Sequence, residues 1–537
     1  MSILRKTRTF ARLALALSAA HLALAQRGAG DWSTAAYDAQ RSSWVRGDGK
    51  INPVSLSKPG FGLYWKLKMN NAARGLNNLT PPALIDFYIG YRGFRTLGFF
   101  GGSSDRVIAV DLDIARIEWE KSFGTRLPAP TGPCPGGMTS TVTRPTSPDY
   151  PPPFAARGAG RATPARSGVG EPMEGAVTLR RVPPPPPPPP VAPAKPAAAP
   201  AFNPFSPRIQ WVLALAGDGM LHRMFISNGH EPEPGIAFLP PNAHALGLIS
   251  FEDTVYAATT NGCGGVADGV WALNLGTKQV KQWKSDAGAV AGSAGPAFGP
   301  DGTVYVATKG AVIAALRPGT LEEIARYKNG AGFASSPVVF DYKGRTLLAA
   351  ATVHGRIQLI DPAALRSNEF LDRSERYSAN DFAAGTLTSW QDAAGVRWIL
   401  AAAAGPDASK TGFRFKNGEI TNGAVVAFKV VDKNGKPVLE PGWVSRDLVS
   451  PLPPVVVNGV VFALSSGEDR ADARRSKPAV LYALDALDGK EIWNSSSSIA
   501  SFVHSGGLSL GGGRVYVSDH QGTQYAFAFP LETLEDN

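Results

Sequence analysis

Short alternating runs of hydrophobic and polar positions recur along this chain. Val107-Ile108-Ala109-Val110-Asp111 is followed, after a polar turn, by Trp119. Val270-Trp271-Ala272-Leu273-Asn274 leads in the same way to Trp283, and Leu481-Tyr482-Ala483-Leu484-Asp485 leads to Trp493. The Trp falls ten or eleven residues after the Ala each time. Period-two alternation, a turn and a return predict paired strands. Weaker copies are Val312–Leu316 with Tyr327 in the Trp slot, Ile357–Asp361, and Val425–Phe428 followed by Trp443. From Ala272 to Ala315 to Leu359 the steps are 43 and 44 residues, the period of a four-stranded blade. Further strands precede the copies at 254–258, 303–307 and 460–464, two of them behind the hairpin pairs Asp301-Gly302 and Asn458-Gly459.

Eight units are predicted, beginning near Thr80, Pro207, Asn242, Gly292, Gly332, Asp381, Ser450 and Ser501. In the second, Trp211–Leu215 and Leu221–Ile226 pair well, but a fourth strand is weak. The last unit ends one strand short, and the isolated run Leu63–Leu67, with its own Trp65, supplies it. Joining the two closes a ring that would otherwise expose strand edges. The expected fold is therefore all-β: an eight-bladed β-propeller of four-stranded antiparallel blades, closed by an N-terminal strand.

The Ala–Leu–Asp…Gly-Lys…Ile–Trp pattern, clearest at residues 483–493, resembles the repeat of pyrroloquinoline-quinone-type eight-bladed propellers. Asp31-Trp32…Asp38…Arg41…Trp44 resembles the opening segment of that superfamily. The resemblance covers about residues 31–124 and 208–530. It implies the propeller fold. It admits two functions: a quinone-dependent alcohol or sugar dehydrogenase with pyrroloquinoline quinone and calcium, or a propeller with no cofactor, such as the scaffold lipoprotein of the outer-membrane barrel assembly machinery. The dehydrogenases typically carry an adjacent cysteine pair, a calcium held by Glu, Asn and Asp, and a catalytic Asp. This chain has no Cys-Cys pair, and neither the calcium ligands nor the catalytic Asp map onto it. No Cys-x-x-Cys-His occurs, so no attached haem is expected.

Composition divides the chain. Arg5, Lys6, Arg8 and Arg12 precede an apolar run from Leu13 to Leu24. This reads as a signal peptide, residues 1–25, with cleavage after Ala25 and an exported mature protein, periplasmic or extracellular. The alternative is a membrane anchor, for which the run is short; no other long apolar run occurs. Residues 26–124 hold the closing strand and first blade. Residues 125–207 form a Pro/Gly/Ala-rich block containing Pro183 to Pro190, too poor in apolar surface to offset its ordering entropy and expected to be a disordered insertion between the first and second blades. It reads either as a tolerated surface insertion or as a tether or proline-motif ligand. Residues 208–530 hold the remaining blades, and 531–537 form a tail.

The net charge of +10 comes mostly from outside the blades: the leader carries +4 and the insertion +5, leaving +1 for the propeller. No basic patch suited to nucleic acid remains, and the expected partner is a protein or small molecule on a propeller face. The two cysteines, Cys134 and Cys263, fall in an interblade loop and in a second-to-third-strand loop, which open on the same face of a propeller. They either pair, closing a loop worth about 4–5 kcal/mol in the chain-entropy model, or stay as free thiols.

Other chemical signals are weak. Gly507-Leu508-Ser509-Leu510-Gly511 matches a nucleophile elbow, but that motif needs a strand-to-helix turn, and here a β blade follows. His504 reads as a structural histidine near the channel mouth. Glu468, Asp469 and Asp472 share one loop at a spacing that fits no standard calcium site. Neither zinc-ligand spacing, a Walker loop nor a dinucleotide fingerprint is present. Trp119, Trp283 and Trp493 are expected to dock neighbouring blades. No catalytic or metal-binding residue is assigned, and no cofactor is expected on the non-catalytic reading.

Overall fold

Eight sheets surround a common centre in the computed structural model, which describes residues 31–147, 211–472 and 475–530 apart from Tyr91. The expected leader, most of the expected insertion and the tail lie outside the described residues. Blade 1 is the antiparallel sheet Ala83–Gly90, Gly93–Gly102, Arg106–Asp111 and Arg116–Ser122. Blades 3, 4 and 5 repeat this inner-to-outer order. Blade 6 adds Phe415–Lys416 outside its last long strand, and blade 7 has Trp44–Val45 as a fifth, innermost strand. Blade 8 combines three C-terminal strands with Gly62–Lys68, which pairs antiparallel with Thr523–Ala528. The orphan run of the sequence is thus the outer strand that closes the ring.

Blade 2 differs from the expectation. Trp211–Leu215 is its second strand, not its first. The inner position is taken by residues around Thr143, which lie before the insertion and pair antiparallel with Leu213. Residues 125–147 therefore belong to the propeller, although composition groups them with the insertion: Met138 and Val142 are in the core, and Thr143 and Arg144 are buried. The remaining insertion, 148–210, connects the first and second strands of one blade rather than two blades. The outer strand of blade 2, Ile236–Ala237, is as short as the sequence suggests.

The core lies between blades. Inner and middle strands are buried on both faces, as in the all-buried pattern of Ala245–Phe251, and are rich in Val, Ile, Leu and Ala. Outer strands alternate, as Arg116–Ser122 does. The sheets consequently pack face to face in a circle and leave two faces of loops. The crossover face carries the connections from blade to blade and the turns between second and third strands. The opposite face carries the other two sets of turns.

Candidate functional site

The centre of the ring holds a coil of chain. Residues 31–48 circle once inside the channel and touch the blades in order. The Trp32 carbonyl accepts from Leu84 N–H of blade 1 at 2.8 Å, and the Ser33 carbonyl accepts from Arg144 N–H of blade 2 at 2.9 Å. Thr34 Oγ1 donates to the Leu248 carbonyl of blade 3 at 2.7 Å. Carbonyls of Ala39, Gln40, Ser42 and Ser43 accept from Phe298, Val339, Ser389 and Val456, on blades 4 to 7, at 2.9–3.0 Å. Asp48 Oδ2 accepts from Gly513 N–H of blade 8 at 2.8 Å. The inner strand of a blade has one unpaired edge, and this coil satisfies donors along it. Tight curling puts Ala36, Tyr37, Arg41 and Ser43 at positive φ, a strained conformation for non-glycine residues held by the surrounding contacts.

Arg41 is the hub of this coil. Its guanidinium donates to the carbonyls of Pro296, Gly247 and Ala35 and to Thr34 Oγ1, all at 2.8–2.9 Å. Complete burial pulls its pKa down to about 9, opposed by the charge of Asp38. Asp38 in turn accepts from Ser42 and pairs with Arg46 at 2.9 Å. Trp32, Asp38, Arg41 and Trp44 therefore all belong to the coil that fills this end of the channel.

The inner strands also meet towards the crossover face. Ser335–Ser336 of blade 5 pairs with Gly385–Thr386 of blade 6, and Ser293 N–H of blade 4 reaches past blade 5 to the Gly385 carbonyl at 3.1 Å. A Cβ on Gly385 would press on Pro453 of blade 7. Blades 4 to 7 thus contact one another directly around half the ring.

The tryptophans occupy blade junctions. Trp119 Nε1 donates to the Ile226 carbonyl of the next blade at 2.8 Å, and Trp443 Nε1 to the Ala486 carbonyl at 2.9 Å. Trp65 does the same to Leu112 at 3.0 Å across the closure between blades 8 and 1. Trp283 differs, donating to the Glu323 carboxylate at 2.9 Å. Trp493 is half-buried, edge-on to Phe61 and Phe527. Trp119 lies against Gly229, and Trp443 against Gly489; both glycines have positive φ, and a Cβ on either would strike the indole. The Gly of the repeat turn is thus a platform for the preceding blade's Trp. Sequence reading missed Trp443 as a docking residue because sixteen residues, not ten, separate it from its cross-strand partner Ala427.

Cys134 and Cys263 are joined, with Cα atoms 5.5 Å apart. They sit on the crossover face, linking the loop between blades 1 and 2 to the second turn of blade 3. Ser509 is buried in a strand and donates to the Pro82 carbonyl at 3.1 Å. His504 Nδ1 lies 3.1 Å from Asn77 Oδ1, and burial lowers its pKa. Glu468 is held low by Arg470 and Lys477, with which it forms ion pairs. Among the described residues, no three His, Cys, Asp or Glu side chains stand close enough to share a metal ion, and no helix is long and apolar enough to cross a membrane.

No family model matches the chain, and no curated protein matches it. Among solved structures, it is similar to the quinohemoprotein alcohol dehydrogenase of Comamonas testosteroni, with a TM-score of 0.53 and 13% identity over 96% of this chain and 85% of that one. BamB of Moraxella catarrhalis matches with a TM-score of 0.45 and 13% identity, over 88% and 99% of the two chains. A europium-containing methanol dehydrogenase matches with a TM-score of 0.49 and 11% identity, over 93% and 90%. At these identities the likeness is one of fold, and the Comamonas enzyme carries it: the chain is an eight-bladed β-propeller of four-stranded antiparallel blades.

Proposed function

We propose that this protein is an exported propeller that works as a binding or scaffold module, holding a protein or small-molecule partner on a loop face without catalysing a reaction on it. The observation that best supports this reading is the state of the ring's centre. One end is filled by residues 31–48, bonded to every blade. Towards the other end, blades 4 to 7 meet through backbone contacts at Ser293, Ser336 and Gly385. Pyrroloquinoline quinone with calcium would require a flat slot there and several converging oxygen donors. Two observations support a reading without this group: the inner ends of blades 4 to 7 are in contact, and the cysteines form a long-range bond rather than an adjacent pair. The two loop faces offer surface for recognition, where propellers vary freely on a fixed scaffold.

The test is calorimetric titration of the mature protein, with calcium present, by pyrroloquinoline quinone. No heat of binding at high micromolar cofactor is expected. Tight one-to-one binding would overturn the scaffold reading in favour of a quinone-dependent alcohol or sugar dehydrogenase.

A further inference from the structure

In seven blades the first and second strands are joined by turns of two to five residues. Such a turn keeps the two strands at high effective concentration, so their pairing is restored quickly after any local opening. Blade 2 has lost this device. Its inner strand is paired as far as Thr146, and its second strand begins at Trp211, more than sixty residues later. Thr143 and Leu213 nonetheless exchange both backbone hydrogen bonds, each at 2.9 Å. Beyond Thr143 the strand is held by Thr146 N–H donating to the Ser250 carbonyl at 2.8 Å, and its other end is fixed covalently. Five residues before Thr139, Cys134 is bonded to Cys263 of blade 3. Thr139 and Ala245 then exchange hydrogen bonds at 2.8 and 2.9 Å, and His244 Nδ1 and Asn261 Nδ2 lie against the Pro133 carbonyl at 2.9 and 3.3 Å.

We propose that Cys134–Cys263 is a redox-controlled latch for the inner strand of blade 2, replacing from the crossover face the constraint that a tight turn supplies in every other blade. The reductant is a dithiol. Its thiolate attacks Sγ of Cys134, the half-buried and more exposed of the two residues, and Cys263 Sγ leaves as a thiolate. The reagent's second thiolate then releases Cys134. Two electrons pass to the cystine, the dithiol departs as a disulfide, and the two cysteine thiolates take up its protons. Reduction frees the loop at 125–138 and lets residues 139–147 separate from Leu213 while the other blades stay closed.

The measurement is amide hydrogen exchange on the full mature chain, oxidised and treated with dithiothreitol, alongside Cys134→Ser/Cys263→Ser. Reduction is expected to cost Thr143 and Leu213 roughly tenfold in protection, the scale set by lengthening the tether of the inner strand from about five residues, Cys134 to Thr139, to about seventeen, Ser122 to Thr139. Blades 4 to 7 should keep their protection. A second chain, with residues 148–210 replaced by Asn-Gly, should lose this sensitivity, because a tight turn then does the work of the latch. Unchanged protection at Thr143 and Leu213 on reduction would overturn the proposal. So would loss spread evenly over all blades, or equal sensitivity in the short-turn chain.

Discussion

Trp443 and Trp493 hold the same position in successive blades but differ in what surrounds them. Trp443 is fully buried, donates across the blade junction and lies on Gly489. Trp493 is half-buried against two phenyl rings. Trp443→Ala is expected to cost about 3–5 kcal/mol, the range for emptying a large aromatic site, and Trp493→Ala clearly less. Chemical denaturation of both variants checks the order; equal losses would mean that the repeat position, not its burial, sets the energy. Asp86 offers a pH test at the same scale. Its backbone N–H donates to Asp31 Oδ1 at 3.0 Å. Burial, then the charges of Asp31 and Asp48, push its carboxyl up to about 8, with Arg514 pulling the other way and Asp113 adding to the rise. The folded protein therefore keeps a proton that the unfolded chain gives up from about pH 4. This contribution to stability is full below that pH, falls as the pH rises, and is gone above about pH 8. Asp86→Asn should flatten the slope of melting temperature against pH in that window, and an unchanged slope would assign the shift elsewhere.

Among elements, the third and fourth strands of each blade were the most readable in the sequence. Alternation, a polar turn and a large aromatic residue act within twenty residues, so local pattern and tertiary packing agree. The inner strand of blade 2 was not readable. Ser140-Thr141-Val142-Thr143-Arg144 is a fair strand, but its partner Leu213 is distant and its neighbours are rich in proline and glycine. Without a turn signal on either side, composition outweighed pattern. The central coil was visible only as a family-like segment. Most of its bonds run from its carbonyls or its Arg41 side chain to other backbone atoms, and backbone acceptors leave no side-chain periodicity. Removal of this element is expected to matter more than its length suggests. A chain starting at residue 58 keeps the closing strand but loses partners for Leu84, Phe298, Val339, Ser389 and Val456 N–H. Its denaturation midpoint should fall well below that of the mature protein; an equal midpoint would show that water replaces the coil without loss.

The whole ring is held by contacts of very different reach. Within a blade, strands meet across a few residues. Closure is another matter: Gly62–Lys68 pairs with Thr523–Ala528, and Asp48 receives the N–H of Gly513, 465 residues away in sequence. The short-range contacts explain why the number of blades could be counted from the sequence, and the long-range ones why the orphan strand could be assigned only by asking what would complete the last blade. The character of the two loop faces was not legible, because the loops of each face come from all eight blades and have no common pattern.

The same closure sets the order of events when the chain is made. Residues 31–68 are made before any blade, yet their partners in blade 8 are the last to appear. Until then the segment destined for the channel has no channel to enter, and the outer strand of blade 8 has no sheet to join. Native structure with so much of its contact order at the extremes forms slowly, and its partly assembled blades expose open edges throughout. Synthesis of this protein thus implies a waiting period between the making of residues 31–68 and the making of the strands they close upon.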